Sequence, residues 1–501
     1  MMSSSRRRLL SAGLVGLWPK SAKAFTGGFV DRSETIGHRL RDHGSFPSPR
    51  QTVKTAVAIV GGGIAGLSAA WRLQKRGMRD FVILEMEDAA GGNSRSGENE
   101  ISAYPWAAHY LPVPDRRSTL VRELMEELGV LVDCQWDERH LCHAPQERLF
   151  LHGRWQDGIE PEVAATARDR EQFRRFQDRM REFAASGEFR IPMTEPPRQA
   201  ALDRMTATAW LAREGFDSEY LNWLADYGCR DDYGAKARDT SAWAAIHYFA
   251  ARLDKDERGP LTWPEGNGWI VKRMLGQLGL ERYVRAGRFV HRIEPAGSRF
   301  AVFAGDARFD AAAVIFAAPT FLARYVLNNP PTFPGQYSPW LTANLTLDRW
   351  PEEPRTGRPS WDNVIYRSPA LGYVVATHQS LRTHIERTVW TYYWSLADAA
   401  PAESRRLLLS RDWRSWSEAI LADLEVAHPA IRQCVSRIDI MRLGHGMIRP
   451  TPGFLSSPER IRAATPRGRL VFANSDLSGM SIFEEAQYRG VIAADHILRS
   501  M

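Results

Sequence analysis

Cysteine is scarce in this chain. The four present among 501 residues, Cys134, Cys142, Cys229 and Cys434, form no C-x-x-C pair. That excludes a dithiol redox motif and a disulfide-dense scaffold. In an oxidising compartment Cys134 and Cys142 could pair; isolated buried thiols are the other reading. His140, Cys142 and His143 lie close together, but no second ligand pair accompanies them, so no metal site is expected. No basic tract is interleaved with aromatics, so nucleic acid is not an expected partner. The formal net charge of +7 then describes a solvated, arginine-rich surface. The N-terminal apolar segment is too short to span a bilayer, and no later segment resembles a membrane span. There is no fixed-period repeat and no low-complexity tract.

Against these absences stands one strong motif. Val57–Val60 is a short apolar run, as in a strand buried on both faces. Gly61, Gly63 and Gly66 follow with G-x-G-x-x-G spacing. The first glycine allows a tight turn, the second lets backbone approach a pyrophosphate, and the third lets helix and strand pack closely. A helix from Ile64 to about Lys75 then aims the amides of Ile64 and Ala65, and its positive dipole end, at the phosphates. Phe81–Leu84 is the second strand. Glu85 ends it 19 residues past Gly66, where a ribose hydroxyl is expected. Strand, glycines, helix and acid together make a dinucleotide-binding βαβ unit. A further glycine pair, Gly91-Gly92, comes just behind it.

The first residues, Met1-Met-Ser-Ser-Ser-Arg6-Arg7-Arg8, precede a short apolar segment and Ala22-Lys23-Ala24. This pattern is a twin-arginine signal peptide with an A-x-A cleavage site over residues 1–24. It implies the twin-arginine export machinery as a partner and a periplasmic or otherwise exported product with no membrane span in the mature form. Residues 25–54 are polar and punctuated by glycine and proline, and are expected to be a linker or arm. From about 111 to 255 the pattern is mainly helical, with Ser118–Leu128, Glu171–Ala184, Ala207–Arg213 and Ser241–Leu253 as expected helices. That block holds the string Cys229-Arg-Asp-Asp-Tyr-Gly234, to which the pattern gives no role. Strand-like runs return at Tyr283–Ala318, Trp340–Leu347, Leu371–Thr377 and Gly468–Ala473, and a helix reaches Leu498. The expected division is 55–110, 256–330 and 436–501 for a nucleotide-binding domain, with 111–255 and 331–435 as inserts building a substrate domain.

With these segments in view, the chain resembles the flavin-containing amine oxidase superfamily, which includes monoamine and polyamine oxidases, protoporphyrinogen oxidase and phytoene desaturases. The resemblance rests on the first unit with Glu85; on Gly91-Gly92; on Arg288-Phe-Val290-His-Arg-Ile293 with the Ala313–Pro319 strand; and on Leu470-Val-Phe-Ala-Asn-Ser-Asp476 with Glu484-Glu-Ala-Gln-Tyr-Arg-Gly490. Pro264-Glu-Gly-Asn-Gly-Trp269 also resembles a family loop. The likeness implies an α/β fold. Its Rossmann-like FAD-binding domain is assembled from N-terminal, middle and C-terminal segments, and an α+β substrate domain is inserted. It implies FAD as cofactor, with Gly61, Gly63, Ile64, Ala65, Gly66, Glu85, Gly91, Gly92 and Asn93 around its nucleotide end. Val290 is implied at the adenine, and Asp476 and Ile482 on the C-terminal side of the flavin. No second G-x-G-x-x-G is found for a separate nicotinamide domain, so the flavin is expected to be reduced directly by substrate.

The departures from the family carry information. Ala89 and Asn93 stand where arginines usually flank the glycine pair, with Arg95 placed to substitute. No lysine occurs in Trp340–Leu347, the strand that resembles the one bearing the family lysine near flavin N5; Thr342 or Asn344 takes its place, or the role is absent. Gly446 and Ile482 stand where monoamine-type relatives carry two flanking aromatics. His445, between two glycines, falls near where some relatives attach flavin through cysteine. His109 follows the glycine pair where relatives run beside the flavin. His445, His109 and Asn344 are therefore the candidate catalytic residues. Trp390, Tyr392, Tyr393 and Trp394 either line the cavity or fill the core.

The expected function is an exported FAD-dependent oxidoreductase, amine oxidase-like, passing hydride from a small organic substrate to flavin N5, with oxygen or a redox carrier as electron acceptor. The alternatives are a desaturase or isomerase of an apolar substrate, and a non-catalytic flavin-binding protein.

Overall fold

The computed structural model describes residues 24–31, 33–42, 44–253, 259–353, 359–381 and 384–501. Apart from Ala24, the expected signal peptide lies outside the described residues.

Two sheets organise the chain. The first runs in the order Val284–Arg285, Phe81–Leu84, Gln51–Val60, Ala307–Phe316, Arg299–Ala304, Val290–Ala296. Gln51–Val60 pairs in parallel with both Phe81–Leu84 and Ala307–Phe316. The C-terminal strand Leu470–Phe472 joins the far half of Ala307–Phe316, also in parallel. Three distant stretches of chain thus share one sheet, as expected. Its central residues Val57, Ala58 and Ile59 have no exposed surface, which explains the unbroken apolar run. The Ile64–Lys75 helix and the C-terminal Phe483–Ser500 helix pack together on this sheet. A Cβ on Gly490 would lie 2.1 Å from the Ala65 carbonyl oxygen, so only glycine permits that approach. Arg72 adds two hydrogen bonds to the Asp495 carboxylate, at 2.7 and 3.0 Å.

The second sheet has eight strands, ordered Thr26–Phe29, Val435–Arg449, Gln336–Leu347, Thr388–Ser395, Gly372–Val375, Asp362–Ile365, Glu147–Leu151, Arg154–Asp157. Along Gln336–Leu347 the even and odd positions face opposite ways. Leu341, Ala343 and Leu345 enter a core with Trp390, Tyr392 and Trp416. Trp340, Thr342 and Asn344 face the other way. Helices Ala167–Ala185, Ala207–Arg213, Glu219–Tyr233 and Ala242–Ala250 form a third packed unit, filled by Phe173, Phe176, Trp210 and Trp243. The first of these starts at a capping box in which Thr166 and Asp169 satisfy each other's backbone N–H. Among the described residues no helix is long and apolar enough to cross a membrane. The four cysteines are free thiols, with Cys134 exposed and the other three buried.

Two expected boundaries are corrected. Residues 25–54 are not a plain linker. Thr26–Phe29 pairs in parallel with Val435–Arg449, and Ser33–Arg41 is a helix. Gly27 fits only because it lacks a side chain: a Cβ there would stand 1.8 Å from the Ile438 carbonyl oxygen. Asp31 and Glu34 then grip Arg442 at 3.0 and 2.8 Å. The second correction concerns residues 436–449, assigned to the nucleotide domain. They lie in the long strand of the second sheet that pairs with Gln336–Leu347. A polar, glycine-bearing edge strand gives little apolar periodicity, and a 15-residue strand crossing a unit boundary gives no break in pattern.

Candidate functional site

The glycine-rich turn and the glycine pair meet. Gly63 and Gly91 form a parallel bridge, and the Gly91 N–H donates to the Gly62 carbonyl at 2.8 Å. Gly61 has φ +102° and Gly91 φ +133°, conformations that a side chain would strain. A Cβ on Gly66 would stand 1.9 Å from the Gly61 carbonyl oxygen, which makes the third glycine obligatory for seating the helix on the turn. Gly63 has only Gly92 Cα nearby, at 3.9 Å from where its Cβ would be. The Ile64–Lys75 helix starts there with no side-chain cap. The first-turn amides of Ile64 and Ala65 thus open onto a bare backbone cradle, the donor set that a pyrophosphate requires.

At the ribose end, Glu85 is 7% exposed. Its two oxygens accept from the Gly62 N–H at 2.7 Å and the Glu87 N–H at 2.8 Å. Burial raises its pKa, while those two backbone bonds and Arg95 act the other way. Val290 adjoins it, since Arg288 N–H donates to the Glu85 carbonyl at 2.7 Å. The ladder slips one residue between Val290 and Arg292, leaving His291 out of register and stacked on Phe46. Arg95, placed to substitute for the family arginines, turns back to the Gly92 carbonyl and to Glu87.

The cradle is tied to the second sheet at three points. Asn93 Nδ2 donates to the Gly446 carbonyl at 2.8 Å. Asn344 Nδ2 donates to the Pro105 carbonyl at 3.1 Å, while its Oδ1 accepts from Thr391 at 2.7 Å. Asp476, 1% exposed, accepts from the Thr320 N–H and hydroxyl at 2.7 Å each and from the Tyr337 hydroxyl at 2.5 Å. Burial raises the Asp476 pKa against those bonds, and burial with the neighbouring Asp476 charge raises Tyr337. The Asp476 carboxylate, expected at the flavin, is thus engaged by protein groups from two other segments. Asn344, expected to be catalytic, has both ends of its amide engaged in positioning the loop before His109. Ile482 caps the Phe483–Ser500 helix through backbone alone.

The candidate histidines lie apart in character. His109 stacks on Tyr393 with centroids 4.4 Å apart, and burial pushes its pKa down to about 4, so it is neutral at pH 7. His445 is exposed at one edge while its ring stacks on Phe321 at 4.4 Å. Desolvation on that side, with Arg405 and Arg324 nearby, pushes it down to about 4.

The sheet face turned toward the tied cradle carries Trp340, Thr342, Tyr393 and Ser395. Thr342 stands opposite Tyr393, and Trp340 opposite Ser395. Trp340 Nε1, Thr342 Oγ1, Tyr393 Oη and Ser395 Oγ are all buried with no hydrogen-bond partner among the described residues. Four orphan groups on one face are costly unless a ligand satisfies them. Trp340 was not foreseen. A Cβ on Gly446 would stand 2.9 Å from its Cδ1 and one on Gly234 2.5 Å from its Nε1, so two glycines make room for the indole. Of the Trp390–Trp394 run, Tyr393 reaches this face, while Trp390 and Tyr392 are core.

Comparison with known proteins agrees with this construction. A family model, the NAD(P)-binding Rossmann-like domain, matches residues 59–128. Among curated proteins, a Baeyer-Villiger monooxygenase of Penicillium patulum is 30% identical over 126 residues, 25% of this chain and 19% of that protein. The “Probable flavin-containing monoamine oxidase A” of Dictyostelium discoideum is 30% identical over 98 residues, 19% of this chain and 21% of that protein. The matches thus span about a fifth of those relatives' length. Among solved structures, wild-type putrescine oxidase bound to putrescine superposes with TM-score 0.69 at 18% identity, covering 90% of this chain and all of that one. Cyclohexylamine oxidase from Brevibacterium oxydans gives 0.66 at 17%, covering 89% and 99%. The chain has the α/β fold of the flavin amine oxidase superfamily, and its bare cradle, helix N-terminus and Glu85 fit FAD.

Proposed function

We propose that the protein is an FAD-dependent oxidoreductase of amine oxidase type, acting on a small amine. One observation carries the reading. The pyrophosphate cradle is fastened, through Asn93, Asn344 and Asp476, to a sheet face holding four orphaned buried polar groups. Those residues would hold the nucleotide end of FAD beside that face. FAD, when bound, supplies the two-electron acceptor. The protein's own part is placement and electrostatics. Trp340 walls the site, neutral His109 and Tyr393 present aromatic faces, and Thr342 offers a hydroxyl where no lysine is present. Bound FAD would accept hydride from the substrate's C–H bond next to nitrogen, the amine would release one proton as the C=N bond formed, and oxygen or a redox carrier would take the two electrons on.

A desaturase would want a long apolar tunnel; the face here is polar and aromatic. A non-catalytic flavin protein would show no reduction of its flavin by any substrate. The deciding experiment is anaerobic addition of an amine panel to the FAD-loaded protein. Bleaching of the flavin absorbance by at least one primary or secondary amine is expected. A flavin bleached by polyenes or fatty acids and by no amine would overturn the reading.

Export through the twin-arginine route belongs to the same proposal, supported by Arg6-Arg7 and Ala22-Lys23-Ala24. Replacing Arg6 and Arg7 with lysine should retain the precursor in the cytoplasm. Export through a twin-arginine-deficient host would refute it.

A further inference from the structure

Beside the cradle the ladder of the second sheet is interrupted. Ser338 stands opposite Met447 and Trp340 opposite Leu443, so Gly444, His445 and Gly446 together face the single residue Pro339. Proline brings no N–H to the ladder, and the extra residues of the facing strand bulge. A bulge re-aims the side chains it carries. Gly446 lies against Trp340, and its carbonyl is held by Asn93 at 2.8 Å. His445, one peptide away, is exposed. From its ring inward the contacts are unbroken. It meets Tyr337 edge-on at 5.9 Å, and the Tyr337 hydroxyl donates to Asp476 at 2.5 Å.

Basic side chains from three further elements converge on that histidine. Arg324 lies three residues beyond Phe321, on which the His445 ring stacks at 4.4 Å. Arg405 lays its stem over Gly444, its Cδ 3.8 Å from where a Cβ would stand, and donates to the Tyr337 carbonyl at 3.0 Å. His38 comes from the Ser33–Arg41 helix. After burial, the groups acting on His445 are Arg405, Arg324 and His38; all three oppose its protonation, and no carboxylate is among them. On the Pro401–Ser410 helix, Arg406 and Leu409 extend the patch, both exposed. Leu409 is four residues past Arg405 and three past Arg406, so the three share one side of the helix. Among the described residues Arg324, Arg405 and Arg406 form no ion pair. Arg442, three residues before His445, is by contrast held by Asp31 and Glu34.

Gathered cations repel one another, and their field concentrates anions. Oxygen is uncharged and gains nothing from such a patch. An anionic electron carrier gains a faster encounter and a fixed orientation. Encounters between redox proteins bury less than about 1,200 Å², so a patch drawn from four elements around one exposed ring is large enough.

We propose that the Arg324, Arg405, Arg406 and His445 patch docks an acidic one-electron carrier protein, and that the electrons taken from substrate leave the protein there. Two oxidised carriers each take one electron, the proton of the transferred hydride goes to solvent, and FAD is restored. The inference rests on the FAD oxidoreductase reading above and not on its amine substrate.

The test reduces the FAD-loaded protein with light and deazaflavin, without any amine, in the absence of oxygen. The reduced protein is mixed with plastocyanin, an acidic copper protein, or with mitochondrial cytochrome c, a basic haem protein. Plastocyanin should reoxidise the flavin at least tenfold faster at about 0.02 M salt, and the advantage should vanish at about 0.5 M. Zinc-substituted plastocyanin takes no electrons, so calorimetry with it reads docking alone. Arg324→Glu and Arg406→Glu should each weaken that binding severalfold, and together at least tenfold, with FAD content and melting temperature unchanged. Arg499→Glu makes the same single charge change at the far end of the Phe483–Ser500 helix, and should alter binding less than twofold. Equal, salt-independent rates with the two carriers overturn the inference. So does zinc-plastocyanin binding that survives both patch substitutions, or that falls equally in Arg499→Glu. Binding to anionic phospholipid vesicles, with none to plastocyanin, would assign the patch to a membrane surface and overturn it as well. If no amine bleaches the flavin, the amine reading fails while these measurements still decide the docking site.

Discussion

The indole of Trp340 lies across Gly446, so close that a Cβ on the glycine would stand 2.9 Å from Trp340 Cδ1. The aromatic wall is thus delivered from one strand and the space for it from its neighbour in the sheet. Gly446→Leu should force the indole out of place and cost about 1–3 kcal/mol of stability, the usual range for overpacking. Adding Trp340→Ala should recover part of that loss. Urea unfolding of both single variants and the double variant closes the cycle; strictly additive losses would show that the two residues are not coupled.

Gly63 is the open floor of the cradle. Gly63→Val should leave a folded protein that takes up no FAD, because the added side chain fills the place of the pyrophosphate and meets little protein. Absorbance near the flavin bands and the far-ultraviolet dichroism of the same sample check this. A variant that stays yellow would show the pyrophosphate to lie elsewhere.

Asp476 accepts three hydrogen bonds from Thr320 and Tyr337. Asp476→Ala orphans those donors and should destabilise the FAD-free protein by about 3 kcal/mol, whereas Tyr337→Phe should cost about 1 kcal/mol. FAD affinity should fall at least tenfold in Asp476→Ala, since the loops it joins abut the cradle. Unchanged affinity with a lowered melting temperature would confine Asp476 to a structural role.

Glu484 begins the C-terminal helix and is 3% exposed, and burial raises its pKa from 4.5 to about 7. The folded state therefore holds this proton at pH values where the unfolded chain has lost it. Stability from this group is fully present below about pH 4.5 and declines as pH rises to about 7, by at most about 3 kcal/mol. Glu484→Gln should match wild type near pH 4.5 and exceed it at pH 7.5 in the FAD-free protein. Parallel stability profiles for the two proteins would refute this.

Much of the nucleotide half is legible in the sequence because its constraints are local. Gly61, Gly63, Gly66 and Glu85 lie within 25 residues and each answers one steric or polar demand. The second half is written non-locally. Thr342 stands beside Tyr393 only through the register of two strands, and Trp340 owes its place to Gly446 and Gly234, each about a hundred residues away. The string Cys229–Gly234 stands out in the sequence, yet its meaning, Asp231 at the Tyr248 hydroxyl and Gly234 beneath Trp340, depends on partners from other elements. Asn344 shows the converse. A buried polar residue on the expected strand reads as catalytic until its amide is found bonded at both ends.

The Thr26–Phe29 strand has a consequence for the nascent chain. It leaves the ribosome about 400 residues before its neighbour in the sheet, Val435–Arg449, has been made. Throughout that interval it is an unpaired edge, the kind of segment that recruits strands from other molecules. Its composition limits the hazard. Four residues, two of them glycine, offer a short and weakly ordered template. The bare Gly27 that lets the finished strand settle against Ile438 also keeps the waiting one from pairing prematurely.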